Sequence, residues 1–104
     1  MKSSDTHTRT GLKPWMLHAI RETIASDVRV ERVVLFGSRA KGSFREGSDI
    51  DLAVFGEGIT HSDASRWAEE LEERLFPWSV DVVAVGPGTN EDLRAHIERV
   101  GIVL

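Results

Sequence analysis

Three aspartates carry the chemistry this sequence offers. Asp49 and Asp51 open the apolar run DIDLAVF, residues 49–55. Two apart on an extended chain, they project from one face, while Ile50, Leu52 and Val54 project from the other and can bury. Carboxylates so close repel, and each raises the pKa of the other if nothing intervenes. A divalent cation removes the conflict. Hard oxygen ligands suit Mg²⁺, which is usually held by one or two carboxylates together with substrate phosphates. Asp81 interrupts a second apolar run, SVDVVAV, residues 79–85. Buried alone it would be costly. On a strand beside 49–55 it completes a cluster of three acids. Such a cluster can hold two metals about 3.5–4 Å apart, the arrangement that clamps the attacking and leaving oxygens in phosphoryl transfer. The plain structural alternatives are a solvated strand end for Asp49 and Asp51 and an exposed edge strand for Asp81.

Gly37-Ser38 supplies the complementary chemistry. A glycine directly after a strand lets backbone approach a phosphate. A helix opening at Ser38, with Ser38 as its N-cap, aims free N–H groups at an anion. Arg39 and Lys41 either add positive charge at the β- and γ-phosphates or face water; the sequence leaves both readings open. Alone, a Gly-Ser pair means little. Followed ten residues later by Asp-x-Asp, and then by an aspartate on a later strand, it is specific.

The elements that must position these residues follow from periodicity. Residues 1–11 are polar and Ser/Thr-rich and read as a flexible leader, leaving 12–104 as one domain. Leu17, Ile20 and Ile24 recur at helical spacing behind Pro14, predicting an amphipathic helix over 14–26, with Trp15 and Met16 in the core. Residues 30–36, 49–55 and 79–85 read as strands. Between the first two lies a loop over 42–48. Ala64, Trp67, Ala68, Leu71 and Leu75 predict a helix N-capped by Ser62 and stopped before Pro77. Thr89 to Asp92 resembles a capping box, with Leu93, Ile97 and Val100 as a helix face and Gly101 as C-cap. Residues 102–104 are apolar and suit a short edge strand or core packing. Trp78 reads as packing against the third strand or serving an interface. Helices alternating with strands predict a small α/β layer structure.

Composition narrows the rest. At 104 residues, 40% hydrophobic and 29% charged, the chain suits one globular domain. A formal net charge of −4 gives no field that favours nucleic acid. Without cysteine there are no disulfides or thiolate metal sites, which is compatible with the cytoplasm. No signal peptide or membrane span is evident. His18, His61 and His96 have no second histidine at zinc-ligand spacing and read as structural or surface residues.

The pattern Gly37-Ser38, ten residues, Asp49-x-Asp51, then Asp81, resembles the polymerase-beta-like nucleotidyltransferase superfamily. The run GSRAKG…SDIDL on so short a chain is similar to its minimal nucleotidyltransferase branch. The resemblance covers about residues 14–104. It implies a nucleotidyltransferase fold: two layers, α+β, with a short mixed sheet of three to four strands packed by helices. It implies that Asp49, Asp51 and Asp81 bind two Mg²⁺ ions, and that Gly37, Ser38, Arg39 and Lys41 hold the nucleotide. The implied reaction is attack of an acceptor hydroxyl on the α-phosphorus of ATP, with loss of pyrophosphate. It further implies an antitoxin that transfers AMP to a tyrosine of a small helical HEPN-type toxin and forms a hetero-oligomer with it. Two alternatives stand beside this: an antitoxin that acts by binding and occlusion without catalysis, and a nucleotidyltransferase for a small molecule. The chain itself has no tyrosine, so it cannot label itself on that side chain.

Overall fold

A computed structural model describes residues 9–104. Helix α1 spans Pro14–Ile20 and continues as a π-helical segment over Arg21–Ala25. Then follow β1 (Arg32–Phe36), α2 (Gly37–Lys41), β2 (Ile50–Phe55), α3 (His61–Arg74), β3 (Val80–Val85), α4 (Glu91–Val100) and β4 (Ile102–Val103). The strands form one mixed sheet in the order β3-β2-β1-β4. β1 and β2 are antiparallel, β2 and β3 parallel. A parallel pair needs a crossover connection, and α3 supplies it.

Alternation along the strands sorts their side chains onto two faces. Val33, Leu35, Ile50, Leu52, Val54, Val80 and Val82 join Met16, Leu17, Ile20, Ile24, Trp67, Leu71 and Leu75 in the main core. Each such side chain is worth about 1.5–3 kcal/mol when fully buried. This is the expected layer of helices under a sheet. The opposite face carries a smaller cluster, Val34, Phe36, Ala53 and Val85 beneath Ile97 of α4. The acids emerge on this second face, beside α4.

Several local expectations need correcting. Helix α3 starts two residues earlier than Ser62 suggested. Its N-cap is Thr60, whose hydroxyl accepts from Asp63 N–H (3.1 Å), while the Asp63 carboxylate accepts from Thr60 N–H (2.9 Å). Helix α4 is capped by Asn90 and not Thr89: the Asn90 side chain accepts from Asp92 and Leu93 N–H. Thr89 instead accepts from Gly86 N–H at 2.8 Å. Met16 is buried as expected, but Trp15 is half exposed and meets Trp78 edge-on, with ring centroids 6.5 Å apart. The expected leader lies mostly outside the described residues. Its end does not: Thr10 is fully buried, so packing begins before residue 12. Residues 102–104 supply the short edge strand, which pairs with β1. No helix among the described residues is long and apolar enough to cross a membrane.

Candidate active site

The spacing between Gly-Ser and Asp-x-Asp has a geometric origin. β1 ends at Phe36, which pairs with Asp51 across the antiparallel ladder. The chain leaves β1, makes the five-residue helix α2 and a loop, and returns to place residue 51 opposite residue 36. Gly37, the next residue, therefore lies against Asp51. Its φ is +76°, a conformation that suits glycine. Any β-carbon there would overlap Asp51 Oδ2 and come within 3.1 Å of Asp51 Cγ. The backbone that sequence reading assigned to phosphate and the carboxylate it assigned to metal thus touch. Ser38, half-buried, is the second residue of α2 and not its N-cap; Phe36 occupies that position. The first N–H groups of a helix have no partner within it, so those of Gly37 and Ser38 remain available beside Asp51.

Asp81 is the register partner of Asp51 on the parallel β2–β3 ladder. Paired residues share a face, so Asp49, Asp51 and Asp81 all project beside α4. Asp51 is half-buried, whereas Asp49 and Asp81 are exposed. Asp81 is thus not an isolated buried charge. β3 is an edge strand, and both sequence readings hold at once: Asp81 is exposed, and it neighbours Asp51. Burial pushes the Asp51 carboxyl above its ordinary range, and the Asp81 and Asp49 charges push it further. His96 pulls the other way.

These acids suit a divalent cation in chemistry more than in present shape. Their oxygens are hard donors, and the perturbed Asp51 is a half-buried charge facing like charges, a conflict that a cation relieves. Yet among the described residues no three His, Cys, Asp or Glu side chains converge into a ready-made metal cage. The expected three-acid cluster is side by side along two strands and is not gathered on one point. Mutual repulsion favours that spread, and Mg²⁺ sites commonly draw their remaining ligands from substrate phosphates and water.

Arg39 has neither of the roles foreseen for it. It is 2% exposed. Its guanidinium donates to the carbonyls of Thr10 (2.8 Å), Glu46 (3.1 Å) and Ser48 (3.1 and 3.2 Å). It also lies over the Phe44 ring, 4.9 Å from its centroid. Five N–H donors in a fixed fork suit this task, since several carbonyls of one loop can be gathered by a single side chain. From the other side Trp78 Nε1 donates to the Glu46 carbonyl at 3.1 Å. The loop over 42–48 is therefore held by both side chains, which fixes where β2 and its acids begin. Lys41 is exposed at the end of α2.

His96 was passed over in the sequence and belongs near the site. It rests edge-on against Phe36, with centroids 6.0 Å apart, and its charge is felt by Asp51. Its position three residues after Leu93 places it on the sheet-facing side of α4, but only the fold reveals that this side meets the acids.

Comparison with known proteins agrees with this geometry. The family model for polymerase beta nucleotidyltransferases matches residues 18–104. A Haemophilus influenzae protein described as "Probable protein adenylyltransferase MntA" is 35% identical over 88 residues, covering 83% of this chain and 76% of its own length. A crystal structure of a toxin–antitoxin with AMP-PNP superposes with a TM-score of 0.72 at 23% identity, covering 83% of this chain and 69% of that one. A tri-AMPylated Shewanella oneidensis HEPN toxin in complex with MNT antitoxin gives a TM-score of 0.61 at 21% identity, over 86% of this chain and 65% of that one. The four-stranded mixed sheet packed by helices thus has the fold of these proteins, and the chain belongs to the polymerase beta nucleotidyltransferases.

Proposed function

We propose that this chain is an antitoxin that transfers AMP from ATP to a tyrosine hydroxyl of a HEPN-type toxin in the cytoplasm. The observation that carries the reading is the contact of Asp51 with Gly37 on one side and its pairing with Asp81 on the other. One carboxylate joins a phosphate-binding turn to an acid on the open edge of the sheet. The 35% identical relative described as a protein adenylyltransferase, and the HEPN toxin complex of the same fold, supply the class of acceptor.

In this reading the N–H groups of Gly37 and Ser38 and the Ser38 hydroxyl hold the triphosphate. Asp49, Asp51 and Asp81 would hold two Mg²⁺ ions, which when bound neutralise phosphate charge and acidify the acceptor hydroxyl. The acceptor oxygen forms a bond to the α-phosphorus as the bond to the β-phosphate oxygen breaks, and pyrophosphate departs. The hydroxyl proton leaves on the side of Asp81, the acid nearest the sheet edge. Catalysis is positioning and charge neutralisation, so no side-chain nucleophile is needed. Arg39 and Trp78 act at a distance, by holding the loop that delivers Asp49 and Asp51.

The test is to incubate the chain with ATP, Mg²⁺ and a HEPN-type toxin, taken from the adjacent gene where it encodes one, then record intact masses. AMP-sized increments on the partner are expected. A tight complex with bound nucleotide and no mass change would sink the catalytic reading and leave occlusion.

A further inference from the structure

One edge of the sheet has hydrogen-bonding groups that are closed at both ends and, among the described residues, unpartnered between, although the Val82 residue as a whole is only 6% exposed. In the parallel β2–β3 ladder Ile50 pairs with Val80, and Ile50 N–H donates to the Ser79 carbonyl at 2.9 Å. The slanted parallel pattern then points the backbone of residues 79, 81, 83 and 85 toward β2, and that of 80, 82 and 84 toward the free edge. Two bonds agree with this phase. Val80 N–H is taken by Glu72 Oε2 (3.0 Å), and Gly86 N–H by Thr89 Oγ1 (2.8 Å). Between these closures the outward N–H and C=O groups of Val82 and Ala84 face a groove of about 440 Å³. Ile59 and His61 form one wall, Asn90 and Leu93 the other, and Asp81 lies at one end.

Exposed strand edges are normally blunted, because they template pairing with another chain. Here the blunting stops on either side of the stretch that adjoins the acids. We propose that an extended loop or tail of the otherwise helical acceptor protein pairs antiparallel with Val82 and Ala84 as a further strand, carrying its tyrosine opposite Asp81. The inference rests on the adenylyltransferase reading and specifies how its acceptor is held. Asp81 directs its own backbone toward β2, so a residue opposite it on the added strand sits in a non-hydrogen-bonded pair. Those are the closest pairs in an antiparallel ladder, and their side chains share a face. Neighbouring strands are about 4.7–4.9 Å apart. A hydroxyl on the added strand must cross about one and a half such spacings, roughly 7 Å, to lie between Asp81 and Asp51. The phenol of tyrosine spans it. A serine or threonine hydroxyl, one bond beyond Cβ, falls short. The groove thus selects the acceptor by side-chain length, and backbone pairing leaves the flanking sequence free to vary.

The experiment uses acetyl-Thr-Val-Tyr-Val-Thr-amide as probe against the ¹⁵N-labelled chain. The Val82 and Ala84 amides are expected to shift on titration. Methylating the backbone nitrogen of the valine before tyrosine, which faces Val82, should weaken binding roughly tenfold by removing a hydrogen bond and adding a clash. Methylating the tyrosine nitrogen, which faces away, should not. Ala84→Pro removes an outward N–H at an edge position where proline is tolerated. It should abolish the Val82 shift and AMP transfer to the peptide while ATP binding persists. If Ala84→Pro fails to fold, the methylated peptides decide alone. AMP transfer with unmoved Val82 and Ala84 amides, or equal binding of both methylated peptides, overturns the inference and leaves the adenylyltransferase reading standing. Shifts at both amides without AMP transfer to any acceptor uphold the groove and overturn that reading instead. A dimer that occupies the edge and excludes the peptide would give the edge to a second copy of the chain, and would also overturn the inference.

Discussion

Two groups of aspartates in this molecule have opposite surroundings. Asp27 and Asp63 share Arg29, whose Nη2 lies 2.8 Å from Asp27 Oδ2 and whose Nη1 lies 3.0 Å from Asp63 Oδ2. Arg29 also donates to the Gly58 carbonyl, and Asp63 completes the cap of α3. Hydrogen bonds from Arg29 hold the Asp27 carboxyl down at about 2 and lower that of Asp63 as well, while both acids raise Arg29. Among the described residues, no arginine or lysine forms an ion pair with Asp49, Asp51 or Asp81. Burial and the two neighbouring charges raise Asp51. The first group is complete within the chain and ties the segment before β1 to the start of α3. The second is incomplete without something positive from outside. A fold keeps such a conflict where function requires it, and the contrast between the groups identifies the site more sharply than acid content alone.

The contrast should break most visibly under neutralisation. Asp51→Asn is expected to cut AMP transfer by roughly 10²–10³-fold or more, the scale seen when a principal charge-stabilising group is lost. In the absence of divalent cation the same variant should melt a few degrees higher, because it removes a half-buried charge facing like charges. Arg29→Ala should do the reverse: it strands two carboxylates, lowers the melting temperature by several degrees and leaves transfer per folded molecule unchanged. Equal thermal shifts of one sign in both variants would erase the distinction between the groups.

Gly37→Ala probes the seam between phosphate turn and acid. A β-carbon meets Asp51 Oδ2, and φ of +76° disfavours any L side chain by about 1–2 kcal/mol. Stability should fall by about that amount or somewhat more, and AMP transfer should fall further than folding explains, since Asp51 must move aside. Ala at Gly42, also at positive φ but with open space around its Cβ position, should cost stability alone. Comparing transfer per folded molecule in the two variants separates contact from strain.

How much of this was legible in the sequence depends on whether the cause was local. Strand alternation, the Trp67 face of α3 and the Gly-Ser to Asp-x-Asp spacing are local, and they appear in the fold much as the pattern implies. Helix starts were misplaced where several capping residues stand within three positions. Thr60 prevails over Ser62 because Asp63 lies three residues beyond it and can return the bond; Asn90 prevails over Thr89 because Thr89 is drawn to Gly86. Arg39 could not be read, because its partners are carbonyls of Thr10, Glu46 and Ser48, which carry no side-chain signal. His96 became visible only once α4 lay on the acid-bearing face. The pairing of Asp51 with Asp81 depended on β2 and β3 being neighbours, which the α3 crossover permits but the spacing of the residues does not dictate.

The smallest expected effects, and the finest test of the comparison, lie in pH. Burial and the neighbouring carboxylates hold the folded-state pKa of Asp51 above the ordinary aspartate value of 3.8. In metal-free protein its contribution to stability is therefore fully present below 3.8 and is lost as pH rises through the raised value. Asp27 has a folded-state value of about 2 against 3.8. Its contribution is present above 3.8 and is lost as pH falls through about 2. Near neutral pH the wild type should then melt below Asp51→Asn and above Asp27→Asn. On acidification the first gap closes as Asp51 takes up its proton, already above pH 3.8. The second holds until below 3.8 and closes by about pH 2. Differential scanning calorimetry of the three proteins across that range, with chelator present, reads both gaps. A gap between wild type and Asp51→Asn that does not change with pH would mean that Asp51 is an ordinary solvated carboxylate. The unresolved charge conflict at the centre of the site would then be absent. At limiting Mg²⁺, AMP transfer should weaken on the acid side as Asp51 takes up its proton, and excess Mg²⁺ should carry transfer to lower pH, because cation and proton compete for the same carboxylate.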